Sequence, residues 1–227
     1  MPGIAIRAAG EDNFMNKSSQ KLQIKIHETN GTATSFDQND PALAKAILEG
    51  FDPTELINRE TLIIGDERSH STIPVSQVTR VDFTSGTSPL VIFRDELVEA
   101  LELTKLQFEA LIRNRIMGEQ WQQVSYADKS IVVFLEVTLG GNQSVLLTMD
   151  MEFDSVPNIG EIQEYLLQRS GLCFRMQNGG VAVINLANLT RLTFFPGCAE
   201  PADKAWPASF SHWISSTCND LSRVANR

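Results

Sequence analysis

The chain has 227 residues, 42% of them hydrophobic and 21% charged, and a formal net charge of −9. That balance is ordinary for a globular protein and argues against a mainly electrostatic grip on nucleic acid or on an anionic membrane, both of which call for clustered cations. No apolar run approaches the roughly 20 residues with which a helix spans a bilayer, and the length suits one large domain or two of about 110 residues.

Residues 1–20 show little periodicity and are expected to fray. From Leu22 the pattern alternates, with Leu22, Ile24 and Ile26 on one side and Gln23, Lys25 and His27 on the other, which predicts a half-buried strand. Asn30-Gly31 tolerates positive φ and predicts a hairpin turn. Asp40-Pro41 reads as a helix start, with Asp capping and Pro where no N–H is required, and Gly50 as its end. Strands are predicted at 62–66 and 72–83. Two helices follow, the first over 95–101 on Leu97, Val98 and Leu101. The second opens at Thr104, where Gln107 completes a capping box and Leu103 and Phe108 are placed as a hydrophobic staple.

After this helical linker the same grammar returns. Ile131, Val133, Leu135 and Val137 alternate, Gly140-Gly141 stands where Asn30-Gly31 stood, and a helix is predicted over 158–170. The likeness is closest between Ile73-Pro-Val-Ser-Gln-Val-Thr-Arg-Val-Asp-Phe83 and Ile184-Asn-Leu-Ala-Asn-Leu-Thr-Arg-Leu-Thr-Phe194, 111 residues later. The expected fold class is therefore α+β, an internally duplicated unit of two antiparallel β-hairpins flanking a helix, with an additional helical segment after each. The expected organisation is a flexible 1–20, a first repeat at 21–88, a helical hairpin at 89–120, a second repeat at 121–197 and a C-terminal helix within 198–227.

Candidate chemistry is sparse. No P-loop, Gly-x-Gly-x-x-Gly or nucleophile elbow is present, and no cofactor is implied. Asp150, Glu152 and Asp154 alternate along a strand and form a weak hard-cation candidate, though a charged edge that discourages aggregation explains them better. His27 falls on the polar side of its strand and is expected to be exposed; His70 and His212 have no second ligand at metal-binding spacing. The cysteines, Cys173, Cys198 and Cys218, are odd in number without CxxC spacing, which suits a reducing cytoplasm. Cys173 matches Ile63 of the first unit and reads as packing.

Arg80 and Arg191 recur at matching positions. Each is expected to meet a carboxylate, with Asp66 or Asp52 considered for Arg80, or else to line a paired ligand site. Trp206 and Trp213 share a face of the final helix and are candidates for anchoring a partner or a second subunit. The run Glu99-Ala-Leu-Glu-Leu-Thr-Lys-Leu-Gln-Phe-Glu-Ala-Leu-Ile-Arg-Asn-Arg115 resembles the short helix-turn-helix of excisionase-like DNA-binding proteins. The resemblance implies a reading helix that turns Lys105, Gln107, Arg113 and Arg115 toward DNA. Glu102 stands where such turns usually carry Gly, and Glu96, Glu99 and Glu109 oppose phosphate contact.

The leading expectation is a non-catalytic scaffold or regulatory interaction module with a protein partner or a second copy of itself. The alternatives are a DNA-binding regulator using 95–117, and an enzyme or ligand sensor with a cleft between the repeats.

Overall fold

The computed structural model describes residues 21–49, 52–65, 69–86, 97–117, 130–153 and 159–195. The expected N-terminal segment, the final helix with Trp206 and Trp213, Asp66, Asp154 and His212 lie outside these residues.

In chain order the elements are β1 (Leu22–Glu28), β2 (Ala33–Gln38), α1 (Pro41–Glu49), α2 (Pro53–Asn58), β3 (Thr61–Gly65), β4 (His70–Pro74), β5 (Val78–Ser85) and β6 (Leu97–Glu102). Then follow α3 (Lys105–Met117), β7 (Ser130–Leu139), β8 (Gln143–Glu152), α4 (Ile159–Leu167), β9 (Gly171–Arg175), β10 (Val181–Asn185) and β11 (Leu189–Phe195). The fold is mixed α+β. Nine strands form one sheet in the order β11-β7-β8-β6-β9-β10-β5-β1-β2, and β3 with β4 makes a separate two-stranded sheet. All neighbours are antiparallel except β6 and β9, which run parallel at Leu101 and Arg175.

Local rules account for many of these elements. Asp40 Oδ1 accepts from the N–H groups of Ala42 at 2.8 Å and Leu43 at 3.3 Å, which caps α1. The Thr104 N–H donates to Gln107 Oε1 at 2.9 Å and the Gln107 N–H to Thr104 Oγ1 at 3.2 Å, the reciprocal pair of a capping box. A short 3₁₀ turn at Val75–Gln77 breaks the strand expected at 72–83 into β4 and β5, and another at Leu186–Asn188 separates β10 from β11.

Apolar clusters pack against the sheet. Leu22, Ile26, Val81 and Phe83 pack with Ala44 of α1 and Leu62 of β3. On β7, Ile131, Val133, Leu135 and Val137 face a core shared with Ile162 and Leu166 of α4, Phe174 of β9 and Ile184 of β10. Phe134, on the other side of β7, packs under Phe108 and Ile112 of α3. A strand covered on both faces reads as a nearly continuous apolar run, as Ile131-Val-Val-Phe-Leu135 does.

The sheet coils far enough for the β1–β2 turn to meet the β7–β8 turn. Gly141 has φ of +73°, and a Cβ there would stand 3.0 Å from Gly31 N and 3.1 Å from Thr29 O. Strands of both expected repeats thus share one sheet, β10 pairing with β5 from Val181 opposite Phe83 to Ile184 opposite Arg80.

One expected helix is absent. Residues 97–102, expected in a helix over 95–101, form β6, inserted between β8 and β9. A register shift between Leu97 and Glu99 turns both Leu97 and Ala100 to the buried side. Leu97, Val98 and Leu101 have helical spacing, but pairing with two neighbouring strands outweighs that pattern and the helix propensity of Leu, Glu and Ala.

Candidate functional site

Two features stand out, a charge cluster on the sheet and a cleft at its end. The cluster forms because β1, β5 and β6 bring alternate residues to one side of the sheet. His27 lies opposite Arg80 in the β1–β5 register, and Lys25 opposite Asp82. His27 Nε2 is 3.0 Å from Asp82 Oδ2. Arg80 donates from Nε to Asp82 Oδ1 and from Nη1 to Glu102 Oε1 at 2.7 Å, while Nη2 reaches Met176 Sδ at 3.2 Å. Its Cζ lies 5.2 Å from the centre of the Phe174 ring. The side chains of Arg80 and Asp82 are each 13% exposed.

Burial pushes the Asp82 carboxyl up, but the hydrogen bond from His27 and the charge and hydrogen bond of Arg80 outweigh it and hold the group below the usual carboxylate range. Burial likewise works against the Arg80 charge, and Asp82 and Glu102 more than restore it. The donors and acceptors of the cluster engage one another, an arrangement suited to fixing three strands together.

The sequence-predicted residues disperse. His27, expected to be exposed, is half-buried against Asp82, because β5 supplies a carboxylate on the side that looked like solvent. Arg80 meets Asp82 and Glu102 instead of Asp52. Arg191 is half-exposed and donates to Glu136 Oε1 at 3.1 Å, so the two arginines keep separate partners. Asp150 and Glu152 lie on β8, which pairs with β7 and β6; an interior strand has no edge to guard, and that explanation of the acidic run is withdrawn. Among the described residues no group of three or more His, Cys, Asp or Glu side chains is placed to hold a metal.

Residues 97–117 form a strand followed by a helix, so the described part of the segment lacks the first helix of a helix-turn-helix. Lys105 is exposed and 3.7 Å from Glu109, Arg113 is exposed, and Gln107 Oε1 also accepts from Gln177 Nε2. The side chain of Arg115 lies outside the described residues.

Cys173 packs with Ile57, Val181 and Val183, and burial pushes its thiol up to about 12. Since the thiolate is the nucleophile, Cys173 is expected to stay unmodified by iodoacetamide at pH 8 in the native chain, and to alkylate fully in denaturant, as peptide mass mapping would read. Fast native alkylation would contradict this packing.

The cleft has a volume of about 830 Å³, and its described lining falls between Ile24 and Phe83. Its apolar lining includes Ile24, Phe36, Leu62 and Phe83. Asp37, Asp52, Glu55 and Arg59 also line it, and Asp37 is paired with Lys21 Nζ at 2.7 Å. Residues 35–38 of β2 and 62–65 of β3 are among its lining. β2 is the last strand of the large sheet and β3 pairs only with β4, so each has one edge without a strand beside it among the described residues. Ile63 on β3 is 69% exposed. Comparison of the chain with family models, with curated proteins and with solved structures yields no match.

Sequence reasoning missed Glu102, Phe36, Ile63 and the cleft itself. An alternating pattern marks a strand, but whether that strand ends a sheet is a property of its neighbours.

Proposed function

We propose that this chain is a non-catalytic interaction module built from two related α+β units, and that its recognition surface is the cleft lined by β2 and β3, each of which has one edge without a strand beside it among the described residues. The observation that carries the reading is this pair of edges beside exposed apolar side chains. Exposed strand edges are templates for pairing, and folds that do not use them blunt them with Lys, Pro or bulges. β3 reads Thr61-Leu-Ile-Ile-Gly65 and carries no such guard.

Kinship of the units is supported by matching pairings. β1 bonds β2 and β5 as β7 bonds β8 and β11. Thr79 Oγ1 donates to the His27 carbonyl at 3.0 Å, and Thr190 Oγ1 to the Thr138 carbonyl at 3.0 Å. Where the units differ, the cleft opens: β9–β10 is built into the large sheet, whereas β3–β4 stands apart.

The reading is tested by affinity capture with the intact chain, Ile63→Lys and Ser35→Pro, each first checked for folding by circular dichroism. Partners held by the intact chain are expected to be lost from both variants. Equal capture by all three would move recognition away from the cleft.

A further inference from the structure

We infer that two copies of this chain associate through strand edges, β4 of each copy pairing antiparallel with β11 of the other. This goes beyond the reading above and holds or fails whatever the cleft binds. The strand pairings of the two units coincide 111 positions apart: Ile26 lies opposite Val81 and Thr34, and Val137 opposite Leu192 and Val145. The β1–β5 and β7–β11 ladders even shift register at the same place, beside Thr79 in one and Thr190 in the other. Leu62 opposite Ile73 is likewise matched by Leu172 opposite Ile184.

One ladder joins the units, β10 of the second with β5 of the first, from Val181 opposite Phe83 to Ile184 opposite Arg80. Shifting each strand by the same 111 positions gives the reciprocal ladder, with His70 opposite Phe194, Ser71 opposite Thr193, Thr72 opposite Leu192 and Ile73 opposite Arg191. The chain does not make this ladder within itself. Among the described residues β4 pairs only with β3, and β11 only with β7. Each molecule therefore carries both halves of a seam that it leaves open, and a second copy supplies the complement of each. A twofold axis closes such an exchange.

The two seams differ in their fastening. Asn185 Nδ2 donates to the carbonyls of Val75 and Val78, both at 3.0 Å, and Asn188 Nδ2 to the Val78 carbonyl at 2.7 Å, which ties the end of β10 to the start of β5. Pro74 and Gln77 stand at the matching places. Pro74 has no side-chain donor, and Gln77 Oε1 is engaged by Thr29 Oγ1 at 2.8 Å.

Both edges suit a partner strand. The Val75 N–H donates to the Glu60 carbonyl at 3.0 Å, so by the alternation of an antiparallel ladder Ser71 and Ile73 bond β3 while His70 and Thr72 turn their N–H groups outward. Pro74, the one guard on this edge, lies beyond the positions that would pair. β11 reads Leu189-Thr-Arg-Leu-Thr-Phe-Phe195, without Lys, Pro or a carboxylate, and its single cation, Arg191, is held by Glu136 at 3.1 Å.

The test uses the full chain with Cys198 and Cys218 replaced by serine. Ser71 and Thr193 would form a non-hydrogen-bonded pair, whose Cα atoms stand about 4.5 Å apart, within reach of a disulfide. Chains carrying Ser71→Cys, mixed with chains carrying Thr193→Cys and mildly oxidised, are expected to give a covalent heterodimer that neither variant gives alone. In light scattering the unsubstituted chain is expected to dimerise as its concentration rises. Thr72→Pro, which removes an outward N–H and no bond to β3, is expected to weaken that dimer tenfold or more with an unchanged circular dichroism spectrum.

A chain that stays monomeric at its solubility limit, a dimer that Thr72→Pro leaves intact, or the lack of a mixed disulfide overturns the inference. A covalent dimer of Thr193→Cys alone would mean that β11 pairs with its own copy, and overturns it too. So does a double variant, Ser71→Cys with Thr193→Cys, that closes within single chains in dilute solution, since the seam would then belong to one molecule.

Discussion

Phe108→Ala is expected to lower stability by about 3–5 kcal/mol, the range for deleting a fully buried aromatic side chain. Phe108 is fully buried and meets two rings edge-on, Phe134 at 6.2 Å and Phe195 at 5.7 Å between centroids. Edge-to-face pairs add roughly 0.5–1.5 kcal/mol to the area term. The residue also joins distant parts of the chain, since Phe134 belongs to β7 and Phe195 to β11. Its removal opens a void that two strands and one helix border, and a capped helix pinned at its start has little freedom to collapse into it. Urea denaturation should show a lower midpoint with an unchanged slope. Leu106→Ala, at a side chain 78% exposed on the same helix, should stay within about 0.5 kcal/mol. A Phe108→Ala cost below 1 kcal/mol would mean that α3 does not depend on this contact.

Arg80→Met is expected to cost about 2–4 kcal/mol at neutral pH, somewhat under the value for breaking a fully buried pair. Methionine keeps much of the stem that lies along Phe174 but removes the cation between Asp82 and Glu102. Two carboxylates are then left in a half-buried site with His27 as the remaining donor to Asp82.

The pH dependence separates charge from packing. Asp82 titrates below its unfolded value, so its stabilising contribution is fully present above about pH 4 and is lost as pH falls through the lower folded value. The gap between wild type and Arg80→Met should accordingly be widest near neutrality and close below pH 4. Arg80→Lys restores charge without the fork that meets two carboxylates at once, and should fall between them. A gap independent of pH would assign the effect to packing over Phe174 alone.

Much of the local structure was legible in the residues. The Asp40-Pro41 start, the Thr104–Gln107 box, the alternation along 22–27 and 131–137 and the turn glycines all depend on atoms within a few positions of one another, so their signals lie in short windows. The site was far less legible. His27 looked solvated because the carboxylate that covers it comes from a strand fifty-five positions away. Leu97, Val98 and Leu101 looked helical by their spacing, whereas the residues buried in the strand are Leu97 and Ala100 and Val98 is half-exposed.

Sequence by itself determined the mixed α+β character, the order of most elements and the echo between residues 73–83 and 184–194, because periodicity and turn chemistry are local properties of the chain. Tertiary structure alone decided that β6 fills one slot, that β3–β4 stands outside the large sheet, and that Arg80 is held by Asp82 and Glu102. Strand order and free edges are set by hydrogen bonds between segments far apart, and the same alternating pattern serves an interior strand and an edge strand equally well.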